Sequence, residues 1–131
     1  MPILIDHQPV NLNGTQEIGP ATVPAGVRFF TLSLARCTDA TPNFWPNVAT
    51  TLNAELRISS DNWVSSFGVG KFGNAVGGIA VIPPIMGGGQ DPSSSMQGWI
   101  PSPLQGANWR IKAFTTVING PLVSQLTVEV S

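Results

Sequence analysis

From Trp109 to Val130 apolar and polar side chains alternate, and the run is interrupted by Asn119-Gly120. A period of two marks an extended strand with one buried and one wetted face. Asn-Gly between two such runs signals a hairpin. With Ile118 opposite Pro121, Ile111 faces Val128, Ala113 faces Leu126, Val117 faces Leu122 and Trp109 faces Val130. On the other side Arg110 meets Glu129, Lys112 meets Thr127 and Phe114 meets Gln125. A slip of one residue would scramble both faces. Pro121 lacks the amide that closes a two-residue turn, so a four-residue loop in the same register is expected.

The same alternation recurs upstream. Val48, Thr50, Leu52, Ala54, Leu56 and Ile58 share one face, with Asn53, Glu55 and Arg57 on the other. Ser59-Ser60-Asp61-Asn62 then turns the chain, and Trp63–Val69 returns beside it with Trp63, Phe67 and Val69 on one face. Gln16–Val23 is expected to pair with Val27–Arg36 through Pro24-Ala25-Gly26, where proline presets one turn dihedral and glycine permits a positive φ. In that second strand Phe30, Leu32 and Leu34 point inward and Phe29 outward. Between Gly70 and Gly106 the reading is mostly irregular, with a short strand at Gly78–Pro83, a second at Trp99-Ile100, and a long loop over Pro84–Gly98.

No stretch of ten residues or more shows helical periodicity, and 12 prolines and 14 glycines punctuate the chain. The expectation is an all-β, antiparallel β-sandwich of about seven to nine strands, jelly-roll-like, over residues 20–131. Residues 1–19 read as an extended N-terminal arm with an apolar tip at Ile3, Leu4 and Ile5. That arm adds a strand either to its own domain or to a neighbouring subunit.

Composition narrows the function. At 131 residues the chain buries enough surface to fold without disulfide or metal staples. Its one cysteine, Cys37, ends an apolar run and reads as a buried thiol. Charged residues are 10% of the chain, against about 25% in typical soluble domains. Formal net charge is −1 and the basic residues form no stripe, which argues against nucleic acid as a partner. A surface so poor in charge suits an assembled protein, because interface cores are depleted in charge. The first six residues lack the basic region and apolar length of an export signal, and Pro83-Pro84 and Gly87-Gly88-Gly89 break the longest apolar stretch, so neither ordinary export nor a membrane helix is expected.

Candidate chemistry is sparse. His7 is the only histidine, so neither a metal nor a cofactor is expected. A Cys37–His7 dyad has no orienting partner, and Glu55 and Asp61 read as an outer-face strand residue and a turn former rather than a catalytic carboxylate pair. Ser59-Ser60-Asp61-Asn62-Trp63 resembles the Asp-box turn of sialidase-like propellers without its glycine and spacing, and that turn is structural. The four tryptophans carry more information. Trp45 sits in a proline-flanked loop and Trp99 follows the glycine- and serine-rich loop. On a surface, either would stack on a sugar ring or anchor a protein interface. In the alternative reading they cap the ends of the core, and Trp109 belongs to the core.

Val23-Pro24-Ala25-Gly26, the Leu52–Ile58 strand, the turn into Trp63 and the closing Asn-Gly hairpin together resemble the small β-sandwich proteins of tailed-phage structural gene clusters, head decoration or cement proteins among them. The resemblance spans Thr22–Ser131 and carries over no functional residue by position. It implies a non-enzymatic virion structural protein, made in the host cytoplasm. Such a protein would sit on the capsid surface as a homotrimer bound to the major capsid protein, with the N-terminal arm as a clamp. The alternative is a carbohydrate-binding module or receptor-binding domain that holds a glycan on Trp45 and Trp99.

Overall fold

Alternate residues along every long strand point to one interior. Leu52, Ala54, Leu56 and Ile58 do so from one segment, Phe30, Leu32 and Leu34 from another, and Ile111, Ala113 and Val117 from a third, all essentially without solvent contact. The computed structural model describes residues 2–10, 14–38, 51–73, 80–82, 85–86, 94–118 and 123–131. These form β1 (Ile3–Val10), β2 (Gly14–Val23), β3 (Phe29–Thr38), β4 (Thr51–Ser59), β5 (Phe67–Phe72), β6 (Ala80–Ile82), β7 (Ile85–Met86), β8 (Ser94–Trp99), β9 (Gly106–Ile118) and β10 (Val123–Val130), with one turn of 3-10 helix at Ser102–Leu104. Eight of the ten strands are six residues or longer, within the expected number. No helix among the described residues is long and apolar enough to cross a membrane.

Two sheets face each other. One has four strands in the order β1-β10-β3-β8; the other has the order β2-β9-β4-β5-β6, with β7 also on β4. All pairings are antiparallel except β5 with β6. The four outer pairings nest: Ile5 faces Val128, Glu17 faces Phe114, Leu32 faces Met96 and Leu56 faces Gly70. The first strand thus pairs with the last, and so on inward, about the single reversal between β4 and β5. A long ribbon closed on itself in this way and rolled into two facing sheets is a jelly roll.

Of the three strand pairs expected from sequence, only β4 with β5 is a pair. Pro24-Ala25-Gly26, with Gly26 at φ 85°, carries the chain from one sheet to the other. β9 and β10 likewise lie in opposite sheets: Ile111 pairs with Ala21 and Ile58, and Val128 with Ile5 and Leu32. Alternation fixes which side of a strand is oily, and two strands that feed one interior satisfy it equally well from facing sheets. Ile111, Ala113, Val117, Leu126, Val128 and Val130 are buried as predicted and Trp109 is partly buried against them, while their predicted partners are wrong; Leu122 lies outside the described residues. Residues 119–122, the expected four-residue loop, lie outside the described residues.

The expected loop over Pro84–Gly98 is also corrected. Ser94–Trp99 is a strand on β3, with Met96 and Ile100 buried, although serine and glycine are weak strand formers. Pairing with β3 from Phe29 to Leu34 outweighs that local preference. Gly78–Pro83 holds the short strand β6, parallel to β5.

Residues 1–19 do not stand apart. β1 is the edge strand of the four-stranded sheet and β2 the edge strand of the other, so the expected arm boundary falls inside β2. Of the two placements expected for the arm, the chain adopts the first, a strand added to its own domain. Ile5, Val10 and Ile18 belong to the core. Gly19-Pro20 sits at a register shift within β2, with Gly19 at φ 112°.

The sheets interlock where the Phe30 ring crosses the interior to Gly70. A Cβ at Gly70 would lie 2.4 Å from Phe30 Cζ and 3.2 Å from Met96 Cε. Gly70→Ala is therefore expected to lower unfolding free energy by about 1–3 kcal/mol, the usual cost of overpacking, as read from denaturant melts. Deleting residues 1–19 removes three buried side chains, each contributing about 1.5–3 kcal/mol. That sum approaches the whole stability of a typical domain. The truncated chain should lose its cooperative unfolding transition, and retention of a sharp melt would show that β1 and β2 are dispensable.

Candidate functional site

The two outer faces of the sandwich differ in charge. On the larger sheet, positions opposite to the buried ones carry Glu17, Asn53, Glu55, Arg57, Lys71, Arg110, Lys112, Phe114 and Thr116. Most of these charges are paired: Arg57 Nη1 lies 2.8 Å and Lys71 Nζ 3.9 Å from Glu55, and Lys112 Nζ lies 3.5 Å from Glu17. A shallow hollow of about 280 Å³ opens between Asn53, Glu55, Lys71 and Phe114. On the four-stranded sheet, β3, β8 and β10 present Phe29, Thr31, Ser33, Ser95, Gln97, Trp99, Gln125 and Glu129, while Thr127 is buried where its hydroxyl accepts the His7 N–H. Glu129 is the one charged residue of that group. Ile3 extends this face on β1, opposite Glu129.

The reversal between β4 and β5 is built around Asp61. Its carboxylate accepts the Ser65 N–H at 3.0 and 3.1 Å and the Ser65 hydroxyl, and Ser59 Oγ lies 2.8 Å away. Ser59 Oγ also accepts the Trp63 N–H at 3.1 Å. Arg57 holds the exit of the turn through Ser66 Oγ at 2.7 Å and the Ser66 carbonyl at 2.8 Å. Asn62 and Trp63 both adopt left-handed backbone, φ 57° and 68°, which turns the indole back over β9. There it meets Phe114 edge to face at 5.9 Å and the Lys112 ammonium at 4.6 Å. Trp63 thus lies on the charged outer face rather than beside Phe67 and Val69. Val69 is buried, and Phe67 leans on Trp109, 6.2 Å between ring centroids, at the margin of the core.

Other residues singled out in the sequence separate in the same way. Glu55 and Asp61 are held by different partners and share no cleft. β10 runs between the strands that carry His7 and Cys37. His7, exposed, sits against Asp6. No three His, Cys, Asp or Glu residues among the described residues are grouped as metal ligands. Trp45 lies outside the described residues. Of the arm's apolar tip, Ile5 is in the core, Leu4 packs against it, and Ile3 alone is largely exposed.

Trp99 is 69% exposed at the end of β8, and its ring tilts against Phe29 on β3, 4.5 Å between centroids. It borders a hollow of about 530 Å³ at the end of the sandwich, lined also by Val27, Arg28, Pro101, Ser102 and Gln105. Gln105 fixes that floor: Oε1 accepts the Gly26 N–H at 3.0 Å, and Nε2 donates to the carbonyls of Ile100 at 3.1 Å and Val27. The sequence pointed to Trp99 but to none of its neighbours in the hollow. Those come from two segments far apart in the chain, brought together by β3–β8 pairing, and no local pattern marks them.

The Ser65 hydroxyl, the Ser65 N–H and the Ser59 hydroxyl hold the Asp61 carboxyl below the ordinary aspartate range. A depressed folded-state value means that this contribution is present at neutral pH and is lost as pH falls below about 4. Asp61→Asn should lower the melting temperature at pH 7 and flatten its decline in acid. Parallel acid profiles for the two proteins would remove Asp61 from that role.

A scan against protein-family models finds no match to this chain, and a search of curated proteins finds no significant relative.

Proposed function

We propose that this chain is a non-enzymatic virion structural protein, a head decoration or cement protein that forms a homotrimer and binds the major capsid protein. The observation that carries this reading is the charge partition: over β3, β8 and β10 the outer face of the four-stranded sheet presents hydroxyls, amides, Phe29 and Trp99 with Glu129 as its charged residue, and Asp6 and His7 lie at its β1 edge. Burying such a face removes few charges from water, and aromatic anchors supply contact area. Jelly rolls are common in viral shells and also in lectins, so the fold supports the reading by analogy alone. In this account the sheet face packs between copies, and repeated weak contacts of the oligomer with the shell multiply into avidity. Clamping by residues 1–19, the mechanism expected from sequence, gives way to docking by the face, because those residues complete the protein's own sheets.

The double variant Gln97→Glu, Gln125→Glu places two isosteric charges on that face without touching the core. It is expected to melt like the parent but to be monomeric by light scattering where the parent is trimeric. It should also no longer cosediment with shells assembled from major capsid protein. A monomeric parent, or a variant that assembles and cosediments unchanged, would refute the proposal.

A further inference from the structure

The hollow beside Trp99 has the chemistry of a small-ligand site. Its volume, about 530 Å³, falls in the range of ligand pockets. One wall is the Trp99 indole, which Phe29 supports from one side and which is otherwise largely open. The polar groups divide into two kinds. Gln105 spends its amide on the backbone of Gly26, Val27 and Ile100, so it keeps the floor rigid and has nothing left to offer. Arg28 and Ser102 are exposed, and neither side chain bonds to a described residue. The Arg28 backbone is fixed on both sides, its N–H on the Ser131 carbonyl at 2.7 Å and its carbonyl on the Ile100 N–H at 2.8 Å. The guanidinium is thus anchored at its root and, among the described residues, has no partner at its tip.

We propose that this hollow binds a saccharide carrying a carboxylate, a uronic-acid-type residue. The apolar C–H face of a pyranose ring packs on Trp99, the guanidinium of Arg28 takes the carboxylate with two parallel hydrogen bonds, and Ser102 serves a ring hydroxyl. An exposed arginine that pairs with no described residue, beside an open aromatic wall, favours an acidic sugar over a neutral one, since only the acidic sugar adds a charge-assisted pair. No phosphate cradle of successive backbone amides or basic side chains lines the described hollow, so a nucleotide fits it less well. Trp99 belongs to both the hollow and the assembly face, so Arg28→Gln tests the hollow alone and the Gln97→Glu, Gln125→Glu variant tests the face alone.

Calorimetric titration of the full chain with oligogalacturonate, and with neutral maltooligosaccharide of matching length, tests the site. Oligogalacturonate should bind at least about tenfold more tightly than its neutral counterpart, the size expected of a charge-assisted bidentate pair. Trp99→Ala should abolish binding with an unchanged melting temperature, because the ring lies outside the core. Arg28→Gln should erase the preference for the acidic sugar while sparing any weak neutral binding. No binding of oligogalacturonate at millimolar concentration, equal affinity for the two sugars, or binding unaffected by Trp99→Ala would each overturn the proposal.

Discussion

The reversal from Ser59 to Ser66 is the constraint on which the other pairings depend. It stands near the middle of the chain, and all four outer strand pairs nest about it, from Leu56 with Gly70 at the tip to Ile5 with Val128 at the ends. An error of one residue at the tip would turn the oily face of β4 or β5 to water, and β4 also pairs with β9 along its whole length. Asp61, Ser59 and Ser65 close that turn with a dense local set of hydrogen bonds, and Arg57 secures its exit. Local hydrogen bonding therefore sets a long-range register. This gives a sheet protein, most of whose contacts are distant in sequence, a cheap place to begin.

Once the ribbon is in register, the interior decides how it rolls. Phe30 crossing to Gly70 works only if the two sheets approach closely there, and glycine at that position makes the approach. This explains what the sequence could and could not tell. The inward residues of β3, β4, β9 and β10 were legible because a buried strand face needs strict alternation. So was the tip, because a turn so rich in Ser, Asp and Asn has a local chemistry of its own. The partners of β2, β3, β9 and β10 were not legible. Both candidate hairpins contain good turn residues, and a turn between facing sheets uses the same residues as a turn within one. Pro121 was the one local sign against the second hairpin, and a longer loop explained it equally well.

The candidate sites were legible to a lesser degree. An exposed Trp99 was one of two readings open from its position after a glycine-rich segment. What gives it meaning, the Phe29 ring beneath it and the hollow shared with Arg28 and Gln105, depends on tertiary pairing of β3 with β8. The charge partition between the two faces was equally hidden. Low total charge was visible in the composition. Its concentration on one sheet required knowing that Arg57, Lys71, Arg110 and Lys112 belong to the same sheet.

The edges of the sandwich bear on which surface is free to associate. β1 carries two register shifts, Pro9, exposed Asp6 and His7, and left-handed backbone at His7. β2 carries Pro20 and two register shifts of its own. Bulges, prolines and charges are what blunt a sheet edge against adding a foreign strand. These two edge strands, which the sequence suggested as a donor arm, are thus poorly suited to strand exchange between subunits. Away from β1 the four-stranded face is plainer: its rows are regular over β3 and β8, uncharged there between Phe29 and Ser33 and between Ser95 and Trp99, and end in a paired phenylalanine and tryptophan. Association by this protein is accordingly expected face-on, with side chains rather than backbone making the contact.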